Sequence, residues 1–420
     1  MAASDTPSAP AQPSWRTPTL IMLCGALVFM LSAGTRQTFG LFLRPMSTDL
    51  GWGREVFALS VALLTLLMGA VSPFMGAVAD RFGSGRVILL GGVLWALGLT
   101  GMAHAATPLA MTLFTGVVVG LGASATSVSI AIGAVGRQVP EARRSQALGV
   151  VTAGGSVGQM LVLPLAQGLI SWLDWKLALT LLGGLMVLLI PAALGLGGPP
   201  HAGTGGPEQR MSAALREAGR HRGFLLLTAG FFVCGFHVSF IGVHLPSYVV
   251  DSGLSAGIGA TALFLVGLFN ILGSTAWGRW GGRHRKKHLL SALYLLRAAV
   301  ITVFLLVPAS TVSVLTFSAA MGFLWLGTVP LTSGLVGQLF GVRYLSLLFG
   351  IVFFSHQVGG FLGAWLGGFI FDRMHSYTWM WLLSIALALA SALVHLPIDD
   401  APVARLGAAP KPEPEPALAK

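Results

Sequence analysis

Long apolar runs with almost no charge follow one another along this chain. Within residues 19–43 only Cys24 and Arg36 can ionise, and within residues 87–135 only His104 can. Apolar runs of about 18 residues or more are typical of membrane-spanning helices, and these runs lack the two-residue alternation of membrane-barrel strands. The pattern predicts an all-α integral membrane protein.

Breaking the runs at charged residues, glycine and proline predicts twelve transmembrane helices. The first six cover residues 19–43, 55–79, 86–106, 109–136, 145–170 and 176–196, and the last six cover residues 224–249, 256–278, 289–307, 311–338, 345–371 and 377–397. We therefore expect two six-helix bundles, 19–196 and 224–397, joined by a cytoplasmic central loop, 197–223. Residues 1–18 and 398–420 have compositions typical of disordered, cytoplasmic ends, and residues 1–18 lack the pattern of a cleaved signal peptide.

Lysine and arginine are distributed unevenly between the two sides of this topology. With both termini on one side, 19 of the 25 Lys and Arg residues fall on that side and four on the other. Loops rich in Lys and Arg stay in the cytoplasm. The chain is therefore predicted to be a multi-pass protein of the cell inner membrane with both termini cytoplasmic. The two remaining residues, Arg36 and Arg297, lie inside predicted helices.

The composition excludes several other classes of protein. Hydrophobic residues make up 55% of the chain and charged residues 9%, whereas soluble domains carry roughly 25% charged residues. The net charge of +11 would suggest nucleic-acid binding in a soluble protein, but basic cytoplasmic loops account for it here. Cys24 and Cys234 are too few, and too deep in apolar runs, for a disulfide framework or a zinc site. We expect no nucleic-acid partner, metal or cofactor.

The two halves of the chain share residues at matching positions. Val135-Gly136, Gly149 and Val157-Gly158 recur 201 residues later as Val336-Gly337, Gly350 and Val358-Gly359. This shared spacing predicts a duplication, with two pseudo-symmetric bundles related by an axis along the membrane normal.

The loop between predicted helices 2 and 3 reads Gly76-Ala-Val-Ala-Asp80-Arg81-Phe-Gly83-Ser-Gly-Arg86. It resembles the signature loop of the major facilitator superfamily, Gly-x-x-x-Asp-Arg-x-Gly-Arg. The resemblance implies the major facilitator fold, with a gate at the cytoplasmic face whose Asp and Arg pair across helix ends. The residues assigned to that gate are Asp80, Arg81, Arg86, Arg143, Arg144 and Arg283. The second-half copy of the loop, around Arg283, lacks the Asp, so the implied gate is asymmetric.

Three helices also resemble the monocarboxylate transporters and their bacterial relatives. Helix 1 ends Arg36-Gln-Thr-Phe-Gly-Leu-Phe-Leu, where that family has a basic residue before a similar Phe-containing run. Helix 5 opens with Arg143-Arg144 followed by the family's Ala/Leu and Gly pattern. In helix 8 the family has an acid or Asn with an Arg four residues later, and here these positions are Asn270 and Ser274. The resemblance implies a monocarboxylate substrate, and the missing Arg implies a different way of holding it.

Arg36 is the leading candidate for substrate binding. It lies eight residues before Arg44, or about 12 Å from the helix exit, and all 14 acidic residues fall in loops, tails or helix ends. A guanidinium holds a carboxylate through two parallel hydrogen bonds, so a substrate carboxylate is one natural partner. The alternatives are helix-end carbonyls, or Asp49 or Asp251 at the outer face. For Arg297, in helix 9 outside the cavity, a structural role is favoured over ligand binding.

Other polar and aromatic residues in the spans complete the predicted site. The candidates are Gln159 in helix 5; His237 and His244, two turns apart in helix 7; Asn270 in helix 8; and His356 and Gln357 in helix 11. Each histidine either takes part in proton or anion binding or is bonded to a neighbouring carbonyl. Gln159 either reaches the cavity or makes an interhelical hydrogen bond. Phe39, Phe236, Phe240 and Trp325 either wall the site or pack in the core.

These features predict a secondary active transporter for a small organic anion, with uptake of a monocarboxylate as the leading hypothesis and a proton as the coupling ion. The chain has no Gly-x-x-x-x-Gly-Lys-Ser/Thr nucleotide cradle and no set of catalytic residues, so no enzyme is expected. A proton-driven exporter of amphipathic compounds and a non-transporting membrane sensor are the alternatives. The expected partners are the organic anion, protons and the lipid bilayer, and the expected functional unit is a monomer.

Overall fold

A computed structural model describes residues 16–197, 211–341 and 345–403, and all its secondary structure within these ranges is helical. Twelve helices are long and apolar enough to cross a membrane, which confirms the predicted fold class. In chain order they are α1 (Pro18–Gln37, continued by Phe39–Leu50), α2 (Arg54–Phe82), α3 (Ser84–Ala103), α4 (Pro108–Met111, Thr112–Val119, Gly120–Ala125 and Val128–Gln138), α5 (Glu141–Trp172), α6 (Trp175–Leu185, Met186–Leu188 and Leu189–Gly195), α7 (Arg222–Asp251), α8 (Ala256–Gly281), α9 (Lys286–Leu306), α10 (Thr311–Phe323 and Thr328–Phe340), α11 (Leu345–Met374) and α12 (Thr378–His395).

The described chain begins and ends on the same side of the bundle, which we call the terminal face. Arg16 donates hydrogen bonds to the carbonyls of Leu194 and Gly197 at the end of α6. Val403 donates to the carbonyl of Leu339 at the end of α10. The other side, where α1 ends and α2 begins, is called the opposite face.

Glycines let the helices of each bundle pack backbone to backbone. A Cβ on Gly158 of α5 would overlap the Met30 carbonyl of α1, and a Cβ on Gly359 of α11 would overlap the Phe232 carbonyl of α7. These two glycines belong to the 201-residue repeat, so the repeat marks a close helix crossing in each bundle. Close approach through small residues is how membrane helices associate without a hydrophobic driving force.

Two helices are interrupted near the middle of their spans. The sequence predicts continuous helices over 109–136 and 311–338, but α4 breaks after Ala125 and α10 breaks after Phe323. Residues 112–119 of α4 also form a π-helical segment. Helix 1 is longer than predicted, because the chain stays helical through Pro45 to Leu50 after a single turn residue, Thr38.

Two polar regions contain more packed structure than their composition suggests. The stretch predicted as the central loop holds a helix, Met211–Arg220, which buries Ala214 and Ala218 and exposes Arg216 and Arg220. Residues 398–403, assigned from sequence to the tail, pack against the second bundle, with Ile398 fully buried. The predicted ends 1–15 and 404–420, and residues 198–210 of the predicted central loop, lie outside the described residues.

Candidate functional site

Arg36 lies at the end of the first segment of α1 and is half-buried. The helix breaks immediately after it, where the Thr38 N–H turns back to the carbonyls of Arg36 and Thr35. With the residues that the structure describes, the Arg36 side chain forms neither a hydrogen bond nor an ion pair. Every carboxyl group of the described spans sits within two residues of the end of its helix. The guanidinium is therefore a cation at depth whose hydrogen-bonding capacity is unused.

The two acidic residues considered as partners for Arg36 are engaged elsewhere. Asp49 is 3.4 Å from Lys176 and accepts a 3.1 Å hydrogen bond from the Trp175 indole. Asp251 receives two hydrogen bonds, of 2.6 and 2.8 Å, from the guanidinium of Arg54. Neither carboxylate is available to neutralise Arg36 in this state.

The opposite face is closed by a network that joins the two bundles. Arg54 of α2 pairs with Asp251 of α7, donates to the Tyr377 hydroxyl at 2.9 Å and lies 3.7 Å over the ring of Phe371. The Asp372 carboxylate of α11 accepts the first backbone N–H groups of α2, at 2.9 and 2.8 Å. Such capping by an anion is favoured at a helix N-terminus. Burial raises the pKa of Tyr377 above its ordinary value, so this hydroxyl stays protonated.

A second closing contact at this face is the crossing of α1 and α7. A Cβ on Gly40 would overlap the carbonyl oxygen of Gly242, so the two backbones touch. Pro246, which lacks an N–H, leaves that same carbonyl without its helical donor. Beside the crossing is a cavity of about 350 Å³, lined by Arg44, Gln167 and Ser247 among others.

Gln159 and Gln357 lie between the bundles at mid-depth. Each side-chain amide donates a 3.0 Å hydrogen bond to a backbone carbonyl of the other bundle: Gln159 to Leu263 of α8, and Gln357 to Thr65 of α2. Gln37, the neighbour of Arg36, contacts the Gln159 amide oxygen at 3.4 Å. Gln159 thus forms hydrogen bonds between helices, which is one of the two roles that the sequence left open. One of its partners, Gln37, is the residue next to Arg36 in the sequence.

His237 and His244 point into the second bundle rather than towards Arg36. His237 Nε2 donates to the carbonyl of Ser384 on α12 at 2.9 Å, and His244 Nε2 donates to the carbonyl of Ala364 on α11 at 2.8 Å. His244 Nδ1 accepts from the Tyr377 hydroxyl at 3.1 Å. Carbonyl oxygens only accept, so both rings carry their proton on Nε2. His244 therefore belongs with the closed opposite face.

His356 is arranged differently from these two histidines. Its Nδ1 lies 2.9 Å from the Gln357 amide oxygen, and its ring stacks on Phe353 at 5.4 Å. Because the amide oxygen accepts, Nδ1 carries a proton. The other ring nitrogen, Nε2, has no hydrogen-bond partner among the described atoms. His356 is thus held through Nδ1 beside one of the two mid-depth glutamines.

Asn270 and Trp325 lie at the break in α10. The Asn270 side-chain oxygen accepts the Leu326 N–H at 3.1 Å, while Ser274 bonds back to the Asn270 carbonyl at 2.7 Å. Trp325 is buried at 2% exposure, and its carbonyl accepts a hydrogen bond from Arg297. Asn270 and Trp325 therefore form hydrogen bonds that stabilise the break in α10.

The aromatic candidates are packed inside the bundles. Phe39 lies 6.3 Å from Trp95 in the first bundle, and Phe240 lies 4.8 Å from Trp381 in the second. Phe236 is 1% exposed. The structure therefore does not bring these rings together around Arg36.

Arg297 is fully buried and hydrogen-bonded to the first segment of α10. It donates to the Leu324 carbonyl at 3.2 and 2.7 Å and also to the Trp325 carbonyl. Its Nη2 lies 3.6 Å from the sulfur of Cys234, which contacts Thr328 at 3.1 Å. The carbonyls freed by the break are thus bound by a cation, with the Cys234 thiol also 3.9 Å from the Trp325 carbonyl. No spacing in the sequence signals this arrangement.

The corresponding break in α4 is held by neutral groups. Thr126 accepts a 3.0 Å hydrogen bond from the buried Trp95 indole and donates to Ser32 of α1 at 2.8 Å. Because the three residues come from α1, α3 and α4 and form no motif, sequence reasoning missed them.

The predicted gate residues lie at the terminal face. Arg81, Arg86, Arg143 and Arg283 are exposed, and the side chains of Asp80 and Arg144 are outside the described part of the structure. Among described side chains, the polar contacts between bundles all involve residues from mid-depth to the opposite face. The pairing of the gate at the terminal face stays a prediction.

Comparisons with known proteins agree with this architecture. The family model of the Major Facilitator Superfamily matches residues 25–275 and 260–419. The uncharacterized MFS-type transporter YcxA of Bacillus subtilis is 27% identical over 387 residues, covering 86% of this chain and 90% of that protein. Human monocarboxylate transporter 11 is 28% identical over 362 residues, covering 83% of this chain and 76% of that protein.

A solved structure shares the fold. The crystal structure of a bacterial homologue of the human lysosomal transporter Spinster, in an inward-facing and unoccupied conformation, superposes with a TM-score of 0.67 at 16% identity and covers 91% of this chain and 94% of that one. The family match spans well over half of the sequence and the fold agrees with it. The chain therefore belongs to the Major Facilitator Superfamily, a family of membrane transporters rather than enzymes.

Proposed function

We propose that this transporter carries a small organic anion, bound by Arg36, through alternating access of a central site. The observation that carries the proposal is the unpartnered guanidinium of Arg36 in spans whose carboxyl groups sit only at helix ends. A charge at this depth is costly unless a partner or a water-filled cavity serves it. A substrate carboxylate supplies that partner through a bidentate pair.

The closed opposite face supports alternating access. The Arg54–Asp251 pair, the Asp372 cap and the α1–α7 crossing hold the bundles together there, while the described contacts at the terminal face lie within single bundles. We take this as the state open at the terminal face. From the distribution of Lys and Arg, that face is cytoplasmic and the membrane is the inner membrane of a bacterial cell.

A monovalent carboxylate is the substrate class that fits best. Relatives include proteins named monocarboxylate transporters, and Arg36 is an arginine within the described spans whose side chain has neither a hydrogen bond nor an ion pair with described residues. The helix-8 position where those transporters carry a second Arg is Ser274, whose hydroxyl is bonded to the Asn270 carbonyl. The anion would therefore be held by Arg36 without a second cation.

His356 is our candidate for the coupling proton. Its Nε2 has no hydrogen-bond partner among the described atoms and is the atom we assign to take up the proton, while its Nδ1–H contacts the bundle interface through Gln357. The ionisable groups on the neighbouring elements are Cys234 of α7 and Arg297 of α9, 3.6 Å from each other. Uptake of one anion with one proton moves no net charge.

Transport into proteoliposomes tests the proposal. A labelled panel of lactate, pyruvate, formate and aromatic acids is supplied with and without a pH gradient. We expect saturable uptake of one monocarboxylate class, increased by the gradient and lost in Arg36→Ala. Full uptake with unchanged affinity in Arg36→Ala would show that the anion binds elsewhere, and proton-driven expulsion of amphipathic compounds without anion uptake would favour the exporter.

A substitution at His356 tests its proposed role in proton coupling. His356→Asn keeps an N–H donor for Gln357 but cannot take up a proton near neutral pH. We expect its anion uptake to become independent of the pH gradient while exchange between anions persists. Uptake that still follows the gradient would exclude His356 as the coupling group.

A further inference from the structure

Two glutamine side chains each donate a hydrogen bond from one bundle to a backbone carbonyl of the other, and we call these two hydrogen bonds the links. We infer that Gln159 and Gln357 are positioning residues that hold the bundles in the state closed at the opposite face. The inference rests on the proposed alternating access and adds the residues that set the balance between its states. It is carried by the hydrogen bonds of the two side-chain amides and by the glycines of the facing helices against which they pack.

Each link consists of an amide donor and a backbone acceptor across the interface. Gln159 Nε2 lies 3.0 Å from the Leu263 carbonyl oxygen, and Gln357 Nε2 lies 3.0 Å from the Thr65 carbonyl oxygen. Both side chains are nearly inaccessible, at 6% and 2% exposure. The links therefore join α5 to α8 and α11 to α2, one on each side of the interface between the bundles.

Each glutamine rests on a glycine of the facing helix. A Cβ on Gly267 would come within 2.7 Å of Gln159 Cδ, and a Cβ on Gly69 would come within 2.5 Å of Gln357 Cγ. Real side chains do not pack this closely, so any other residue would displace the glutamine. The glycine lies four residues after the acceptor in both cases, hence about one turn along the same helix face.

The two links have the same spacing. Donor, acceptor and packing glycine of the first link (Gln159, Leu263, Gly267) and of the second (Gln357, Thr65, Gly69) are each 198 residues apart. The 201-residue repeat instead pairs Gln159 with Gly360, so the glutamines are not equivalent positions of that repeat and lie about one helical turn apart in it. The same construction therefore occurs on both sides of the interface without following the repeat.

The remaining amide oxygens are also fixed from within their own bundle. Gln37 Nε2 contacts Gln159 Oε1 at 3.4 Å, and His356 Nδ1 donates to Gln357 Oε1 at 2.9 Å. These contacts orient each amide with its N–H groups towards the other bundle. They also connect the links to Arg36, through its neighbour Gln37, and to His356.

The links oppose opening of the opposite face. Parting α5 from α8 and α2 from α11 would leave two amide donors and two carbonyls without partners until water or new groups reach them. In membrane proteins such interhelical hydrogen bonds contribute on average about 0.6 kcal/mol each, with a maximum near 1.7. Unlike the Arg54–Asp251 pair, they contain no ionised groups, so salt does not weaken them.

Labelling of a buried cysteine tests the inference without any need for transport. Ser247 lies at the bundle interface on the opposite face, is 1% exposed and has no hydrogen-bond partner for its hydroxyl. In a Ser247→Cys protein, the rate of modification by a membrane-impermeant maleimide reports opening of that face. The Ser247 protein without the added cysteine gives the baseline from Cys24 and Cys234.

The variants are Gln159→Met, Gln357→Met and their combination, because methionine keeps the length of glutamine without the amide. Gln138→Met is the matched control, since Gln138 bonds the carbonyls of Ala134 and Leu196 within its own bundle. We expect labelling to rise about threefold in each single variant and about tenfold in the double variant, with no change in the control. Gly69→Ala and Gly267→Ala, which remove the packing glycines instead of the amides, should also raise it.

Folded double variants labelled at the parental rate would overturn the inference, and so would an equal rise in Gln138→Met, which would indicate general loosening. These results are independent of the substrate. If Ser247→Cys labelling responds as expected while no anion is taken up, the proposed substrate fails and the links stand; if uptake is normal and labelling does not respond, the links fail and the proposed function stands.

Discussion

Arg36 and Arg297 are the two arginines placed inside spanning helices, and their surroundings differ in nearly every respect. Arg297 is fully buried, and carbonyls of the α10 break accept its hydrogen bonds at 3.2 and 2.7 Å. Arg36 is half-buried, ends its own helix segment and has no polar partner among the described residues. The same type of side chain thus forms hydrogen bonds that stabilise the fold in one bundle, and in the other it forms none with the described residues.

This difference distinguishes an arginine that stabilises the fold from an arginine that can bind a ligand inside a membrane. A buried cation is tolerated when carbonyls or a carboxylate satisfy it. At Arg297, carbonyls of the protein accept from Nε and Nη2 inside a fully buried site, although Nη1 has no hydrogen-bond partner among the described atoms. An unsatisfied group beside an interface that must open and close is available to a ligand, and it gains most from binding one.

The largest expected effect is on stability, in Arg297→Leu. The variant leaves the Leu324 and Trp325 carbonyls without their donor and exposes a cavity, so we expect the free energy of unfolding to fall by about 3 kcal/mol. Denaturant unfolding in bicelles measures it. Arg36→Leu is the matched variant and should lose little or no stability. Equal losses in the two variants would contradict the comparison.

The next effect is on transport, in Arg36→Gln. Losing a bidentate, charge-assisted pair should lower kcat/KM for the anion about 100-fold, while Arg36→Lys, which keeps the charge but not the fork, should lose about tenfold. Initial uptake rates in proteoliposomes measure both. Lys176→Gln is the control, because Lys176 is exposed at the opposite face and pairs with Asp49 inside the first bundle; a comparable loss there would point to general electrostatics rather than to a site.

A smaller effect concerns the neutral break in α4. Thr126→Val removes the acceptor of the buried Trp95 indole, so we expect a loss of about 1–2 kcal/mol in the free energy of unfolding. Thr152→Val is the control, because the exposed Thr152 hydroxyl bonds only its own helix, at the Leu148 carbonyl. A loss as large as in Arg297→Leu would show that neutral and cationic breaks are equally dependent on their side chains.

The smallest effect is expected for an arginine with an acid partner outside the membrane. Arg285 donates to Asp400 at 2.6 and 3.1 Å, and this hydrogen bond with the positive charge lowers the pKa of Asp400 below its ordinary value. A depressed pKa contributes stability above the unfolded value, near pH 3.9, and that stability is lost as the pH falls through the folded value.

Melting temperatures of the wild type and Asp400→Asn between pH 3 and pH 6 test this. The variant should melt slightly lower at pH 6, and the difference should close towards pH 3. A difference that grows on acidification would contradict the assigned sign.

Several features followed from local pattern alone. The twelve spans were predicted because uninterrupted apolar length leaves few alternatives in a membrane. The repeat glycines Gly158 and Gly359 fall at close backbone contacts of α5 with α1 and of α11 with α7. Arg36 stood out because a charge within an apolar run is visible without coordinates.

Other features were not visible in the sequence because they join distant residues. The breaks in α4 and α10 depend on groups from neighbouring helices, such as Trp95 and Arg297, and the segments themselves read as continuous apolar runs. The histidines of α7 were candidates by helix and spacing, but the rotation of α7 directs His237 and His244 to the carbonyls of α11 and α12.

By itself, the sequence determined that the chain crosses a membrane, how many spans it has, that its halves are duplicated and that Arg36 lies inside a span. Each of these features depends on composition or on spacing along the chain. Only the tertiary structure decided which polar groups meet: that Asp251 is taken by Arg54, that Arg297 bonds the carbonyls of the α10 break while Arg36 has no partner among the described residues, and that Gln159 and Gln357 reach across the interface. Pairing depends on the rotation and depth of each helix against its neighbours, and packing across the whole bundle sets both.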